Sequence, residues 1–177
     1  ANLPRLPPDI CTIVHCAAQV NFVGTADILD TNVGLTWQLL HLAGELGGLK
    51  RFIHLSTGSL RANSPHPFSE EDLDSGQDFV SPYDLTKFLA EATVRKFYRK
   101  LPVTVVRPGS VLATMNGEFA HTNDWFYQTI RLWLDHRLEA VPLGVDQRIN
   151  PIPVDALAQQ ICEIAKSVSY THLRAHE

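Results

Sequence analysis

Three short strand-like runs, alternating with helix-patterned stretches, restrict the fold of this chain more than any other feature of it. They are residues 11–15 (CTIVH), 51–56 (RFIHLS) and 103–107 (VTVVR). Between the first two, Ile28, Leu29, Val33, Leu35, Leu39, Leu40, Leu42, Ala43 and Leu46 recur near the helical period of about 3.6 residues, and Gly47-Gly48 stop the pattern. Ser81-Pro82 has the form of a helix N-cap followed by proline at the first helical position, and predicts a helix to about Lys100. An apolar stretch over 125–136 predicts a further helix, too greasy for solvent on most faces. Residues 152–154 read as a short extended piece, and Asp155 opens a last helix. This alternation is the signature of an α/β fold with a parallel sheet and crossover helices. Such a sheet takes its ligand outside the carboxyl ends of its strands. There the chain places Cys16-Ala17-Ala18, Thr57-Gly58-Ser59 and Pro108-Gly109-Ser110, small residues that let a flat ligand approach the backbone.

Composition narrows the partner. Hydrophobic residues are 45% of the 177 and charged residues 19%, a globular balance. The net charge of −4, with scattered basic residues, advertises no nucleic-acid face. No apolar run approaches the roughly 20 residues that span a bilayer. Cys11, Cys16 and Cys162 match no metal or redox spacing and are read as reduced, mostly buried thiols, with the cytoplasm as the expected compartment. The segment 57–80 is long for a compact domain, as functional loops are. Its Glu70, Glu71, Asp72 and Asp74 read as a solvated turn, and His15 and His54 as packed, hydrogen-bonded histidines.

Tyr83 and Lys87, four apart near a helix start, share one face. An ammonium beside a phenol lowers the phenol's pKa from about 10, and the pair can then exchange a proton with a carbonyl or alcohol oxygen. Thr57, at a strand end, could hold that oxygen. His15-Cys16-Ala17-Ala18, Asn32-Val33-Gly34, Leu55-Ser56-Thr57, Tyr83-x-x-x-Lys87 and Arg107-Pro108-Gly109-Ser110-Val111 occur in this order. Together they resemble the extended short-chain dehydrogenase/reductase superfamily, a Rossmann-type doubly wound parallel sheet. The stretch from Val20-Asn21-Phe22 through Asn32-Val33-Gly34-Leu35-Thr36 is similar to the thioester-reductase and fatty-acyl-reductase branch.

That resemblance implies an NAD(P)H-dependent reductase of a small-molecule or carrier-bound acyl substrate, with NADPH favoured over NADH. It implies Tyr83 as the acid/base, Lys87 as its partner and a hydrogen bond to the nicotinamide ribose, and Thr57 orienting the carbonyl. Ala17, Ala18, Pro108, Gly109 and Val111 would approach the cofactor, and Asn32 would support the site or satisfy local backbone. Gly58-Ser59 stand where related dehydratases carry Asp-Glu, which disfavours dehydration. A nucleotide-sugar epimerase or hydroxysteroid-type dehydrogenase is the runner-up, and a non-catalytic dinucleotide-binding protein a further alternative.

The glycine-rich phosphate-binding turn of the superfamily occurs nowhere in the sequence. Residues 1–166 are therefore expected to be a partial Rossmann domain, truncated at its N-terminus, with the start of the substrate region. By itself such a piece is expected to be inactive and to aggregate through an open strand edge. Residues 167–177 (SVSYTHLRAHE) lack apolar period and are read as a non-native tail, whose His172 and His176 are not taken as a metal pair. Trp125, Phe126, Tyr127, Trp133 and Leu134 either line an acyl cleft or, as aromatic stripes more often do, pack as core or lid.

Overall fold

The computed structural model describes residues 7, 9–20, 22, 26–62, 67–118, 125–140 and 149–167. The two histidines of the tail lie outside them. The chain forms two compact units, residues 1–108 with 165–177, and residues 109–164.

The first unit is built on a parallel sheet in the order β1 (Thr12–His15), β2 (Arg51–Leu55), β3 (Val103–Val106). Thr12 stands opposite Arg51, His15 opposite His54 and Leu55 opposite Val106. The three runs thus pair in the parallel sense that the crossover helices require. The first crossover is α1 (Ala26–Leu29), a π turn (Asp30–Gly34) and α2 (Leu35–Gly44). A continuous helix was expected; the π turn widens it locally. It also explains why Ile28, Asn32, Thr36 and Leu40, spaced by four, are all buried. At about 3.6 residues per turn a strict four-residue stripe drifts around the helix, and a wider turn brings it back. The second crossover, α3 (Pro82–Arg95), begins as the sequence predicts, with Ser81 accepting the Asp84 N–H and Pro82 at the start. It gives way to turns after Arg95, so residues 96–100 are not helix. Leu40, Ala43, Phe52, Val94 and Leu101 form the core, with Ile13, Leu39, Phe97 and Val105 packed against it. Full burial of such side chains stabilises by about 1.5–3 kcal/mol each.

The second unit holds β4 (Ser110–Leu112) and β5 (Pro151–Pro153), a parallel pair, with α4 (Trp125–Leu134) and the start of α5 (Val154–Lys166). Ser110 N–H donates to Asn150 O at 2.9 Å. A Cβ at Gly109 would sit 1.9 Å from that oxygen, so this approach admits glycine alone. Tyr127 Oη accepts the Ala113 N–H at 2.8 Å, while Ile130, Trp133 and Leu134 of α4 are exposed. The helix is therefore less buried than its composition predicts.

The cysteines also depart from expectation, since all three are exposed. Cys11 and Cys16 flank β1 instead of lying in it, and Cys162 is off the stripe that buries Leu157 and Ile164. Among the described residues no helix is long and apolar enough to cross a membrane.

Candidate active site

A hydrogen bond ties the carboxyl end of β2 to the first two turns of α3. Lys87, 4% exposed, donates from Nζ to the Leu55 carbonyl at 2.6 Å. Burial lowers the Lys87 pKa to about 8, opposed by the Glu91 carboxylate and by Cys16. Tyr83, one turn earlier, packs edge-on against Phe22 with ring centroids 5.7 Å apart. Burial, and then the neighbouring Asp84 carboxylate, push its phenol above the ordinary value. The lowering of Tyr83 that helical spacing suggests is not what this environment does. The ammonium is directed at a main-chain oxygen, and the charge that bears on the phenol is negative.

Thr57 follows two residues after Leu55 and caps a 3-10 turn (Gly58–Arg61), its Oγ1 accepting the Ser59 N–H at 3.2 Å. Ala17 and Ala18 lie exposed beyond β1. They leave that strand end open to a flat ring system, while Tyr83 and Lys87 offer donors of the kind ribose hydroxyls accept. Pro108 is buried, and its carbonyl accepts the Gly58 N–H at 2.7 Å. Gly109 and Val111 belong to the second unit.

Asn32, 2% exposed, is held by the π turn. Its Oδ1 accepts the Gln19 N–H at 2.7 Å, and its Nδ2 donates to Gln19 O and to Thr86 Oγ1, each at 3.0 Å. Thr86 Oγ1 donates in turn to Tyr83 O at 2.9 Å. The side chain therefore satisfies the segment after β1 and the Tyr83 turn of α3, and not its own helix. Beneath it, Thr36 donates to Asn32 O at 2.6 Å, so its hydroxyl accepts from His15 Nε2–H at 2.8 Å. Burial, with Lys87 nearby, lowers His15 to about 4. His54 is buried as expected, yet neither ring nitrogen has a hydrogen-bond partner. Burial first, then Lys87 and His15, push its pKa down strongly.

Glu91, wholly buried, takes Arg107 in a two-pronged pair, Nε to Oε2 at 3.0 Å and Nη2 to Oε1 at 2.7 Å, and Arg95 Nε at 3.1 Å. The two guanidinium groups also donate to the carbonyls of Ser69, Glu70, Glu71 and Asp72. The acidic turn is thus clamped by its main chain. Motif reading missed Asp84, Thr86 and Glu91 and took Ser59 only as a small residue beyond the second strand; of the three, only Asp84 carried a signal, three residues after a serine N-cap.

Residues 2–161 match the family model described as male sterility protein, an NAD-binding family. Peramine synthetase ppzA of Metarhizium rileyi (strain RCEF 4871) is 34% identical over 125 residues, covering 66% of this chain and 4% of that protein. Fatty acyl-CoA reductase 2 of Homo sapiens is 33% identical over 137 residues, covering 62% and 27%. The chain thus spans a small part of either relative. Among solved structures, the terminal R domain from the myxalamid PKS-NRPS biosynthetic pathway superposes with a TM-score of 0.76 at 27% identity, over 89% of this chain and 40% of that one. UDP-glucuronic acid 4-epimerase from Bacillus cereus, in complex with UDP-glucuronic acid and NAD, gives 0.73 at 20% identity, over 96% and 55%. At that identity the likeness speaks for the Rossmann-type fold alone.

Proposed function

This chain belongs to the male sterility protein family of NAD-binding domains, and from that premise we propose that it is part of an NAD(P)H-dependent reductase of acyl thioesters. The observation that carries the reading is the joining of Tyr83 and Lys87 on α3 to the end of β2, beside Thr57, through the Lys87–Leu55 bond. The family match and the likeness to a fatty acyl-CoA reductase favour a thioester, carrier-bound or free, over a sugar. Residues 1–166 would supply the nicotinamide side of the dinucleotide site, with NADPH the favoured reductant.

The nicotinamide, when bound, supplies hydride to the carbonyl carbon. Ala17 and Ala18 leave room for it at the end of β1, with Pro108 as a further approach point. Lys87 Nζ, already fixed on Leu55 O, holds the ribose and Asn32 braces the Tyr83 turn. Thr57 donates a hydrogen bond to the carbonyl oxygen, and Tyr83 transfers its phenolic proton there as charge develops. With a thioester, one hydride and one proton convert the acyl group to an aldehyde and release a thiol.

The test is NAD(P)H oxidation by the protein expressed from its complete coding sequence, with an acyl-CoA or a pantetheine thioester beside a UDP-sugar. Thioester-dependent oxidation that is lost in Tyr83→Phe is expected. Turnover of the sugar alone, or unchanged turnover in Tyr83→Phe, would overturn the proposal.

A further inference from the structure

Asp84 follows Tyr83 directly, and both of its carboxylate oxygens are engaged. Ser81 Oγ donates to Oδ2 and Ser59 Oγ to Oδ1, each at 2.6 Å. An ionised carboxylate only accepts, so both serine hydrogens are committed to it. Ser59 Oγ also lies 3.1 Å from Thr57 Oγ1. Its one hydrogen is already on Asp84, so in this contact Thr57 donates and Ser59 accepts. A directed chain therefore runs from Thr57 through Ser59 to Asp84. Capping of α3 accounts for the Ser81 contact and the Asp84 N–H on Ser81 Oγ. It does not account for the second oxygen, which reaches a serine 25 residues away in sequence, on the turn that carries Thr57.

We propose that Asp84 is a positioning residue of the reductase site: through Ser59 it fixes the Thr57 hydroxyl relative to Tyr83, so that one carbonyl oxygen meets both donors. The inference rests on the reading that Thr57 and Tyr83 act on a carbonyl. At rest the Thr57 hydrogen points along the chain, held by a long bond to a neutral acceptor. On substrate binding the hydroxyl rotates that hydrogen to the carbonyl oxygen, while the Ser59–Asp84 bond keeps the turn in place. Without the carboxylate, Ser59 is released and the turn loses this tie to the helix bearing Tyr83. The negative charge also helps keep the phenol protonated, as a donor must be.

The experiment compares Ser59→Ala, Asp84→Ala and Asp84→Asn with wild type in the protein expressed from its complete coding sequence, reading kcat and KM separately. Ser59→Ala leaves the Ser81–Asp84 cap intact, so it separates positioning from helix stability. Both alanine variants should lose about tenfold to a hundredfold in kcat, as displaced catalytic groups do, with the thioester KM nearly unchanged. Their double variant should be no worse than the weaker single one, because they act as one unit. Asp84→Asn can accept from Ser81 and donate to Ser59, and should recover most of the lost kcat. Amide hydrogen exchange at Ser59, whose N–H bonds Thr57, should speed up in Asp84→Ala and not in Asp84→Asn. Wild-type kcat in Ser59→Ala would overturn this inference alone, provided Tyr83→Phe is inactive. Full activity of Tyr83→Phe, or no thioester turnover by wild type, would remove the reductase reading and this one with it.

Discussion

Tyr83 and Lys87 share a helix face but are shifted by different surroundings. Lys87 loses charge near pH 8 because burial disfavours the ammonium, while Tyr83 is held protonated by burial and by Asp84. A phenol kept as a phenol suits proton donation to a reduced carbonyl. Tyr83→Phe should therefore cut kcat about 10²–10⁴-fold with the far-ultraviolet circular dichroism unchanged. Dinucleotide affinity, followed by fluorescence titration, should weaken as pH rises through about 8 and Lys87 deprotonates, and Lys87→Met should abolish that dependence. The histidines give an acid limit. His15, lowered to about 4, and His54, lowered further, are buried neutral. The unfolded chain binds their protons below its ordinary histidine pKa of about 6.5. The stability they contribute is complete above that pH and is lost as pH falls towards 4, by an amount on the order of a few kcal/mol. Urea melts at pH 7 and 4.5 should show the loss, and His15→Gln should reduce it.

At the scale of elements, the most consequential contact joins α3 to Arg107, the residue just after β3. Burial alone would raise the Glu91 carboxyl, but its hydrogen bonds from Arg107, with Arg95 nearby, hold it below the ordinary range. Glu91→Ala would leave Arg107 without its carboxylate and release the 69–72 turn; a cost of about 3–5 kcal/mol is expected, as for other broken buried pairs, read by chemical denaturation. None of this was legible in the sequence, because Glu91 and Arg107 stand 16 residues apart on different elements and no local pattern links them. The strands were legible, since short apolar runs bounded by small residues admit few other readings, and Ser81-Pro82 announced the start of α3. The π turn was not, because its apolar residues satisfy an ordinary helical period within the tolerance of the eye. Of the candidate site, Tyr83, Lys87 and Thr57 were readable as residues, whereas the Lys87–Leu55 bond and the Asn32 bridge depend on tertiary pairing.

For the molecule as a whole, stability and self-association separate. Phe52 sits at the centre of the first unit's core, and Phe52→Ala should cost about 3–5 kcal/mol in a urea melt. Among the described residues β1 pairs on one side only, with β2, and Val14 on it is 42% exposed. Such an edge invites pairing with another strand. Val14→Lys should lower the association seen by sedimentation without shifting the melt. The arginine clamp has a different kind of consequence. Arg95 and Arg107 grip carbonyl oxygens of residues 69–72, and a carbonyl is the same at every position of any chain. The path of that segment can therefore be inherited while its spelling drifts. Glu71 and Leu73 could be exchanged across generations, or in a randomised library, with the arginines still finding what they hold.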